Sequence, residues 1–428
     1  MFRHPRSLIG LALLIGCSSQ SLPPPKDCPE APPTKPVPIS DTVCMDLGGL
    51  EQEPFWPAGR GALVDRRGER LSSNPASETP SSLRPWLGEA DGSTGLGARF
   101  NSPLSRGEDV KLSLDATLHR ALEEAFVGVE KGAGVVLDAR NGSLLALYST
   151  QLHNTASELE RRHWATSWPA PCGSTMKPFT ALAALSAGVA DETTKYDCDG
   201  GLKVGKLEFR CWGKHGPSDL GRALAISDNI FFFQLARLLK HDDIAKTQRA
   251  FGFGQPVGLF PRAPAGWTPT EAELRDQGQK LSTGITLSQA IGHGPVAVTP
   301  LQVALAYAAL ATGALPKASL DPSGGASIPV DPKLARFLPS IRNGLRRAVV
   351  DAEGTAHVAG PAPDLAGKTG TAEATSSPAM HDPPPSGWFA GWAPVDAPRI
   401  AFAFRIEGQS GGEVARRIMQ TLAGAANP

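Results

Sequence analysis

The sequence predicts an α/β (α+β) fold in which about five antiparallel strands form one sheet packed between helices. Two apolar runs, 134–138 and 143–149, come early and are joined through Asn141-Gly142, and Asn-Gly is a strong hairpin signal. Three short runs of β-compatible residues come late, at 368–374, 388–392 and 399–406. Helical patterns fill the chain between them, so the strands of one sheet would come from both ends of the domain.

Composition limits the function classes. The chain has 428 residues, enough for one large core or two to three domains, and its 41% hydrophobic and 20% charged residues are typical of a soluble globular protein. Lys+Arg and Asp+Glu both number 42, so we expect no nucleic-acid partner. We find no phosphate-binding glycine loop and no metal-ligand spacing among the nine histidines, and therefore predict neither a metal nor a cofactor.

Residues 1–17 have the features of a targeting segment. Arg3, His4 and Arg6 give a basic start, and the apolar run 7–16 is too short to span a bilayer, which takes about 20 residues. The stretch 14–17, Leu-Ile-Gly-Cys, resembles a bacterial lipobox, in which the cysteine, here Cys17, is lipidated. The alternative is an ordinary cleaved signal peptide without lipid. Both interpretations place the mature protein outside the cytoplasm, in the cell envelope, and the first anchors it to a membrane.

Three further regions follow the targeting segment. Residues 18–45 are rich in proline, which favours an extended, semi-rigid tether. Residues 46–106 are rich in turn formers and predict a small, irregular N-terminal module. Residues 107–428 form the main domain, which begins with a strand at 110–115 and a helix carrying Leu118, Leu122, Phe126 and Val129.

The cysteines outside the lipobox predict cross-links in an oxidising compartment. Cys198 and Cys211 flank a hairpin-like run, so a disulfide between them is expected. Cys28 and Cys44 are a weaker candidate pair across the proline-rich stretch. Cys172 is left over, and we interpret it as a small packing residue rather than a catalyst, because no histidine partner is implied.

Local sequence signals predict three helices and some of their ends. An apolar helix follows Ser174 and stops at Gly188, and Pro178, which has no N–H to bond the carbonyl of Ser174, should make it open irregularly. Thr299 is a predicted N-cap, with Pro300 at the first helical position and Gln302 closing a capping box. A final helix carries Val414, Ile418 and Leu422 on one face.

Ser174 and Lys177 are the candidate chemical centre. They are three residues apart, which on a helix puts both side chains on one face. A serine hydroxyl is a weak nucleophile until a base removes its proton, and a neutral lysine can be that base. The N–H groups at a helix N-terminus favour negative charge on a substrate carbonyl oxygen. Alone, this spacing is weak evidence, because most such pairs are solvated surface residues.

Two further motifs strengthen the prediction. Ser227-Asp228-Asn229 and then Lys368-Thr369-Gly370 follow in the order S-x-x-K, S-D-N, K-T-G, the signature of serine acyltransferases that bind penicillin. Individually, Ser227 and Asn229 could cap a helix and Lys368 could end an ordinary strand. All three motifs in order favour catalysis, while Asp228 is expected to be structural.

At these residues the sequence resembles the transpeptidase domain of penicillin-binding proteins of the class B type, over 107–428. The supporting stretches are Gly292-His293-Gly294, Thr299-Pro300-Leu301-Gln302, 107–115, 134–149, 367–373 and 388–391, with 60–68 and 95–104 resembling remnants of an N-terminal pedestal. The chain departs from the pattern in its short pedestal, in the lipobox that replaces a membrane helix, and in Cys172 and Met176, where proline and phenylalanine are common.

The resemblance implies a peptidoglycan D,D-transpeptidase that cross-links stem peptides through a serine acyl-enzyme and is inhibited by β-lactams. Ser174 would attack the D-Ala-D-Ala carbonyl, and Lys177 would take its proton. This requires a neutral lysine, and burial beside another cation such as Lys368 would lower the pKa of Lys177. Ser227 would relay a proton to the departing D-alanine. Asn229 would hold the substrate backbone and help to position Lys177.

The resemblance also implies the substrate-binding strand. Lys368 would attract the terminal carboxylate of the substrate, Thr369 and Thr371 would hydrogen-bond the substrate, and Gly370 would let its backbone approach. The N–H groups of Ser174 and Thr371 would form the oxyanion hole. The expected partners are D-Ala-D-Ala stem peptides, β-lactams, a membrane through the lipid anchor and a glycan polymerase.

Two alternatives stay open at this stage. One is a hydrolase, either a D,D-carboxypeptidase or a β-lactamase, although no stretch between the first two motifs clearly supplies the deacylating glutamate of a class A β-lactamase. The other is a non-enzymatic sensor or scaffold that binds muropeptide or β-lactam. The complete Ser-Lys-Ser-Asn-Lys set argues against it, because a scaffold has no need of all five side chains.

Overall fold

The computed structural model describes residues 59–72, 83–87, 95–150, 164–259, 264–357, 364–372 and 385–425. The targeting segment with Cys17, the tether and the Cys28 and Cys44 pair lie outside these residues, as do parts of the 46–106 module. Among the residues described, no helix combines the length and the apolar character needed to cross a bilayer.

The strands are short outside one central sheet. In chain order they are β1 (Leu63–Val64), β2 (Val110–Lys111), β3 (Gly132–Asp138), β4 (Leu144–Ser149), β5 (Tyr196–Cys198), β6 (Gly201–Val204), β7 (Leu207–Arg210), β8 (Gly216–Ser218), β9 (Ala314–Pro316), β10 (Ser327–Pro329), β11 (Ala366–Ala372), β12 (Ser386–Ala393) and β13 (Ile400–Glu407).

Helices lie mainly between β4 and β11. They are α1 (Arg84–Leu87), α2 (Gly95–Arg99), α3 (Asn101–Ser105), α4 (Ala116–Ala125), α5 (Trp164–Ser167), α6 (Lys177–Ala187), α7 (Leu220–Ala225), α8 (Asn229–Leu238), α9 (His241–Ala250), α10 (Glu271–Asp276), α11 (Thr283–Ala290), α12 (Pro300–Thr312), α13 (Pro332–Ala335), α14 (Leu338–Val350) and α15 (Gly411–Ala425). A 3₁₀ turn, Gly173–Met176, leads directly into α6.

The central sheet confirms the predicted fold class. Its order is β11-β12-β13-β3-β4, with every neighbouring pair antiparallel, so strands from both ends of the domain meet between β13 and β3. The predicted hairpin is β3 and β4, and Gly142 in its turn has φ +74, which glycine adopts without a Cβ penalty. Strand β11, which carries the K-T-G motif, forms one edge of this sheet.

Helices cover both faces of the sheet. On one face α4 and α15 contribute Leu122, Val414 and Ile418 to a cluster that includes the β12 and β13 aromatic residues Phe389 and Phe402. On the other face lie α6 and α12, in a larger cluster. Helix α12 is buried along almost its whole length, as expected for a helix that is apolar all round.

The predicted signals at α6 and α12 are confirmed. The 3₁₀ turn before α6 is the irregular opening expected from Pro178, and the N–H of Lys177 bonds the carbonyl of Ser174 across that tighter turn. Gly188 ends α6 with φ +68. Thr299 and Gln302 form the reciprocal capping box of α12.

The expected strand at 110–115 is shorter than predicted. Only Val110–Lys111 form β2, which pairs in parallel with β1. Beyond it the backbone changes partners, because Ser113 N–H bonds Leu320 O and Asp115 N–H bonds Leu145 O. Residues of the 46–106 region, including Leu63 and Trp86, share one core with α6, so the described part of this region is packed onto the main domain.

Candidate active site

Lys177 lies at the centre of the site. Its side chain is fully buried, and Nζ donates to Ser227 O at 2.6 Å, to Asn229 Oδ1 at 2.6 Å and to Ser227 Oγ at 3.2 Å. The structure therefore brings together three of the predicted site residues. An ammonium group has three donors, and these three acceptors match that number.

Burial lowers the pKa of Lys177 to about 7, while the neighbouring thiols of Cys211 and Cys198 and the carboxylate of Asp228 oppose the shift. Near neutral pH a substantial fraction of this lysine is thus uncharged and able to accept a proton. Sequence analysis expected Lys368 to contribute to this shift. Instead, the charge of Lys177 acts on Lys368. Burial lowers the pKa of Lys368, and the charge of Lys177 lowers it further.

A strained turn presents Ser227 and Asn229 to the lysine. Ser227 has φ +62 and is the one non-glycine residue of the described chain with positive φ, a conformation that costs about 1–3 kcal/mol and must be held by its surroundings. Asp228 caps α8 by accepting from the N–H groups of Ile230 and Phe231. The expected structural role of Asp228 has this physical basis, whereas no sequence signal identified the strain at Ser227.

Ser174 lies in the 3₁₀ turn, half-buried, three residues before Lys177. Close backbone packing holds this turn. A Cβ on Gly292 would lie 2.2 Å from Gly173 O, and a Cβ on Gly370 would lie 2.5 Å from Cys172 O. Gly370, the glycine of K-T-G, therefore lets edge strand β11 pack against the Ser174 turn. Gly292, the first glycine of the Gly-His-Gly stretch, does the same for its own turn, and a side chain at either position would clash with backbone.

The segment around Ser174 is also held from α12. Tyr307, fully buried, donates its hydroxyl to Thr175 O at 2.9 Å, and Thr175 Oγ1 donates to Cys172 O at 2.9 Å. Burial raises the pKa of the Cys172 thiol to about 12, as expected for a packing residue and not for a nucleophile. Sequence analysis missed Tyr307, because a contact between residues so far apart in the chain leaves no local pattern.

Strand β11 carries the second buried lysine. Lys368 Nζ donates to Thr369 O at 3.0 Å, and Thr369 Oγ1 donates to Thr355 Oγ1 at 2.6 Å. Thr371 is exposed on the same edge strand, and its Oγ1 accepts from Gly411 N–H at 3.1 Å. The K-T-G-T stretch thus runs along a sheet edge next to the Ser174 turn. An extended peptide could bind at this edge as a further strand of the sheet.

Cys198, Cys211 and His215 lie behind the Ser227 turn with their ligand atoms within 4.8 Å of one another. Both cysteines are free thiols, so the predicted disulfide is not formed in the structure. Thiolate and imidazole are ligands that Zn²⁺ accepts, and His215 Nε2 and Asp228 Oδ2 are buried and have no hydrogen-bond partner within the described part of the chain. These residues could hold a metal ion, a group that the spacing of the histidines did not reveal.

The arrangement suits acyl transfer through a serine. A half-buried hydroxyl lies one turn from a buried lysine that is partly neutral at pH 7, which is the pairing that nucleophilic catalysis by serine requires. A second buried lysine and two threonines line the adjoining strand edge, where they could bind a peptide that ends in a carboxylate.

The family model described as "Penicillin binding protein transpeptidase domain" matches residues 132–424. "Peptidoglycan D,D-transpeptidase MrdA" of Haemophilus influenzae is 30% identical over 74% of this chain and 56% of its own length. The protein of the same name in Acinetobacter baumannii is 32% identical over 73% of this chain and 53% of its own length. This chain thus spans about half the length of these curated relatives.

Solved structures show the same fold. Pseudomonas aeruginosa PBP2, in complex with WCK 5153, superposes with a TM-score of 0.70 at 27% identity, covering 87% of this chain and 97% of that one. The PBP2 component of a complex with MreC from Helicobacter pylori superposes with a TM-score of 0.67 at 25% identity, covering 74% of this chain and 63% of that one.

Proposed function

Since this chain belongs to the family of penicillin-binding protein transpeptidase domains, we propose that it is a serine-type peptidoglycan D,D-transpeptidase. The observation that carries the proposal is the buried Lys177, held by Ser227 and Asn229, with its pKa lowered to about 7, one turn from Ser174. The curated relatives carry the name of this activity.

In the first step Ser174 Oγ attacks the carbonyl of the D-Ala-D-Ala bond while neutral Lys177 takes its proton. The terminal D-alanine leaves as its nitrogen receives a proton through Ser227 Oγ, which lies 3.2 Å from Lys177 Nζ. An ester joins Ser174 to the remaining stem peptide. The backbone N–H groups of Ser174 and Thr371 stabilise the oxyanion, a contribution of roughly 3 kcal/mol for each donor.

In the second step the amine of a neighbouring stem peptide attacks the ester, which forms the cross-link and frees Ser174. Lys368 attracts the terminal carboxylate of the donor peptide, and Thr369 and Thr371 hydrogen-bond it along the β11 edge. Gly370 lets the peptide backbone approach the strand. A β-lactam acylates Ser174 through the same contacts.

The proposal includes where the protein acts. The lipobox-like stretch 14–17 supports cleavage before Cys17, lipidation of Cys17 and attachment to a membrane on the extracytoplasmic side of the cell envelope. In this scheme the proline-rich 18–45 is a tether, 46–106 a short pedestal and 107–428 the transpeptidase domain. A glycan polymerase supplies the strands to be cross-linked, and the MreC complex of the Helicobacter pylori relative suggests an MreC-like protein as a further partner.

The test is acylation of the purified chain by a labelled penicillin, mapped by mass spectrometry. We expect one labelled peptide that contains Ser174, and no label in Ser174→Ala. Ser186→Ala, at the far end of α6, the helix that follows the Ser174 turn, is the matched control and should be labelled like the parent. Absence of label in a protein with a cooperative thermal transition would contradict the proposal.

A second measurement separates transfer from hydrolysis. The chain is incubated with a D-Ala-D-Ala pentapeptide and a labelled D-amino acid as acceptor amine. Incorporation of the acceptor supports a transpeptidase, whereas release of D-alanine without incorporation indicates a D,D-carboxypeptidase. Rapid loss of the penicillin label would indicate a β-lactamase, and stable acylation without any peptide turnover a sensor.

A further inference from the structure

A short turn, residues 351–357, connects edge strand β11 to the Ser227 turn. Thr355 lies in this turn and forms a hydrogen bond on each side. Its Oγ1 accepts from the hydroxyl of Thr369, in β11, at 2.6 Å, and its backbone N–H donates to Ala225 O at 3.1 Å. Ala225 ends α7, two residues before Ser227. Thr355 therefore joins the strand proposed to bind the substrate carboxylate to the turn that holds the proposed general base.

Contacts with α7 and α14 hold this turn in place. Arg222, in α7, donates to both carboxylate oxygens of Glu353, with Nε at 2.9 Å and Nη2 at 2.7 Å. The N–H of Ala356 donates to Ala348 O, in α14, at 2.9 Å. A Cβ on Gly354 would lie 2.4 Å from the same carbonyl oxygen, so the turn packs directly against the α14 backbone. The neighbouring Thr355 is thus presented to β11 from a fixed position.

The hydroxyl of Thr369 is buried and has Thr355 as its one hydrogen-bond partner among the residues that the structure describes. In the free protein it donates to Thr355, so its proton is not available to a ligand. A carboxylate only accepts hydrogen bonds, and Thr369 must therefore turn its proton toward a bound carboxylate. Since a hydroxyl both donates and accepts, Thr355 can then reverse the bond and donate to Thr369.

The other threonine of this edge, Thr371, is oriented in a different way. Its Oγ1 accepts from the backbone N–H of Gly411, at the start of α15, at 3.1 Å. A backbone N–H donates and never accepts, so the proton of the Thr371 hydroxyl stays available to a ligand. Thr371 therefore depends on the backbone for its orientation, whereas Thr369 depends on the side chain of Thr355.

We propose that Thr355 is a positioning residue, which lets the hydroxyl of Thr369 donate to the terminal carboxylate of the substrate or of a β-lactam. This inference rests on the proposed function, in which Thr369 hydrogen-bonds that carboxylate. Thr355 acts through Thr369 and takes no part in the proton transfer from Ser174. Loss of its hydroxyl should therefore weaken binding of the ligand and leave the saturated acylation rate unchanged.

The experiment measures penicillin acylation of the full chain over a wide concentration range. Thr355→Val keeps the shape of the side chain without its hydroxyl. It should raise the penicillin concentration for half-saturation about threefold to tenfold, the factor that one hydrogen bond corresponds to. Thr355→Ser keeps the hydroxyl and should bind penicillin like the parent, as should Thr312→Val, which removes a half-buried hydroxyl at the end of α12. Should Thr355→Val fail to fold, Thr355→Ala allows the same comparison.

A double-mutant cycle with Thr369→Val separates positioning from a merely structural role. If Thr355 acts through the Thr369 hydroxyl, Thr355→Val should weaken penicillin binding no further in the Thr369→Val background. An equal loss in both backgrounds, a lower saturated rate, unchanged binding in Thr355→Val, or Thr355→Ser as weak as Thr355→Val would each overturn this inference alone. No acylation of the parent protein would overturn the proposed function, and this inference with it.

Discussion

Lys177 and Lys368 are both fully buried, but they differ in the number of hydrogen-bond acceptors around them. Lys177 lies on the helical side of the site, at the start of α6, and Lys368 lies on the strand side, in β11. On the helical side three acceptors within 3.2 Å meet the three donors of Lys177. On the strand side, Lys368 Nζ has Thr369 O at 3.0 Å as its one acceptor in the described structure. One lysine is fully hydrogen-bonded by the protein, and the other keeps donors that a ligand could use.

This difference indicates how two adjacent amines can have opposite roles. Burial lowers the pKa of both, and Lys177 lowers that of Lys368 further. A proton on Lys177 disfavours a proton on Lys368, so the free site does not favour both charges at once. A substrate carboxylate beside Lys368 would raise the pKa of Lys368, and the resulting cation would favour neutral Lys177, which gives a cation on the strand side and a base on the helical side.

Substitution of Lys177 should give the largest effect. Lys177→Met keeps the apolar stem and removes the base, so we expect penicillin acylation of Ser174 to slow about a thousandfold, within the range of general-base contributions. Stopped-flow or quenched acylation assays measure the rate constant. Lys280→Met, which changes an exposed lysine, should behave like the parent.

A Lys177→Met protein that acylates within tenfold of the parent would remove the distinction between the two lysines. It would mean that Ser174 is activated by another group, and Lys368, the other buried lysine of the site, would be the candidate. The double variant Lys177→Met/Lys368→Met would then fall to the uncatalysed rate while each single variant kept activity.

Substitution of Lys368 should act mainly on binding. Lys368→Met removes the cation expected to meet the substrate carboxylate, and a charged hydrogen bond contributes about 1.5–3 kcal/mol. We therefore expect the second-order acylation constant to fall by about tenfold to a hundredfold. Most of the loss should appear as a higher penicillin concentration for half-saturation, measured from acylation rates over a wide concentration range.

An equal loss in the saturated rate, with unchanged half-saturation, would assign Lys368 to the chemical step instead. The side-chain amide of Lys368→Gln offers a matched variant, because it keeps a donor without charge. If the hydrogen bond contributes to penicillin binding, Lys368→Gln should bind more tightly than Lys368→Met. If only the charge contributes, the two variants should bind equally.

For the helical side of the site, the sequence predicted which residues take part better than it predicted their geometry. The order of the three motifs identified Ser174, Lys177, Ser227, Asn229 and Lys368 as candidates, and local capping rules predicted the start of α12 correctly. The left-handed φ of Ser227 could not be predicted, since serine has no intrinsic preference for it. Tertiary contacts impose that conformation.

Long-range contacts account for most of what sequence reasoning missed. The sheet followed from short runs of apolar and β-compatible residues and from the Asn-Gly turn, because those signals are local. The contact of Tyr307 with Thr175 joins residues 132 positions apart, and that of Cys211 with Asn229 joins the Ser-Asp-Asn motif to a cysteine outside any motif. No periodicity encodes such pairs. The expected strand at 110–115 failed for the same reason, since distant carbonyls compete for its N–H groups.

The pH dependence of acylation should report on the helical lysine. Lys177 must be neutral to accept a proton, and burial lowers its pKa to about 7, so the neutral fraction falls below pH 7. The second-order acylation constant should therefore be near its plateau at pH 8 and drop about tenfold for each pH unit below the pKa. Thermal melts over the same range control for unfolding, and a constant rate from pH 5.5 to 8.5 would contradict the assignment.

The smallest effect on the acylation rate should come from the hydrogen bond between Tyr307 and Thr175, which involves neither lysine. Tyr307→Phe removes the hydroxyl that donates to Thr175 O and leaves that buried carbonyl without its partner. We expect unfolding free energy to fall by about 1–2 kcal/mol, read as a melting temperature lower by a few degrees. Acylation should slow less than about threefold, because the glycine contacts at Gly173, Gly292 and Gly370 still hold the Ser174 turn.

Tyr148→Phe provides the matched control on the other side of the sheet. Tyr148 packs against Phe126 in the cluster with α4 and α15, away from the Ser174 turn. If Tyr307→Phe slowed acylation as strongly as Lys368→Met, while Tyr148→Phe did not, placement of the nucleophile would limit the reaction as much as the two lysines do. An effect confined to stability would instead leave the division between Lys177 and Lys368 as the feature that determines the rate.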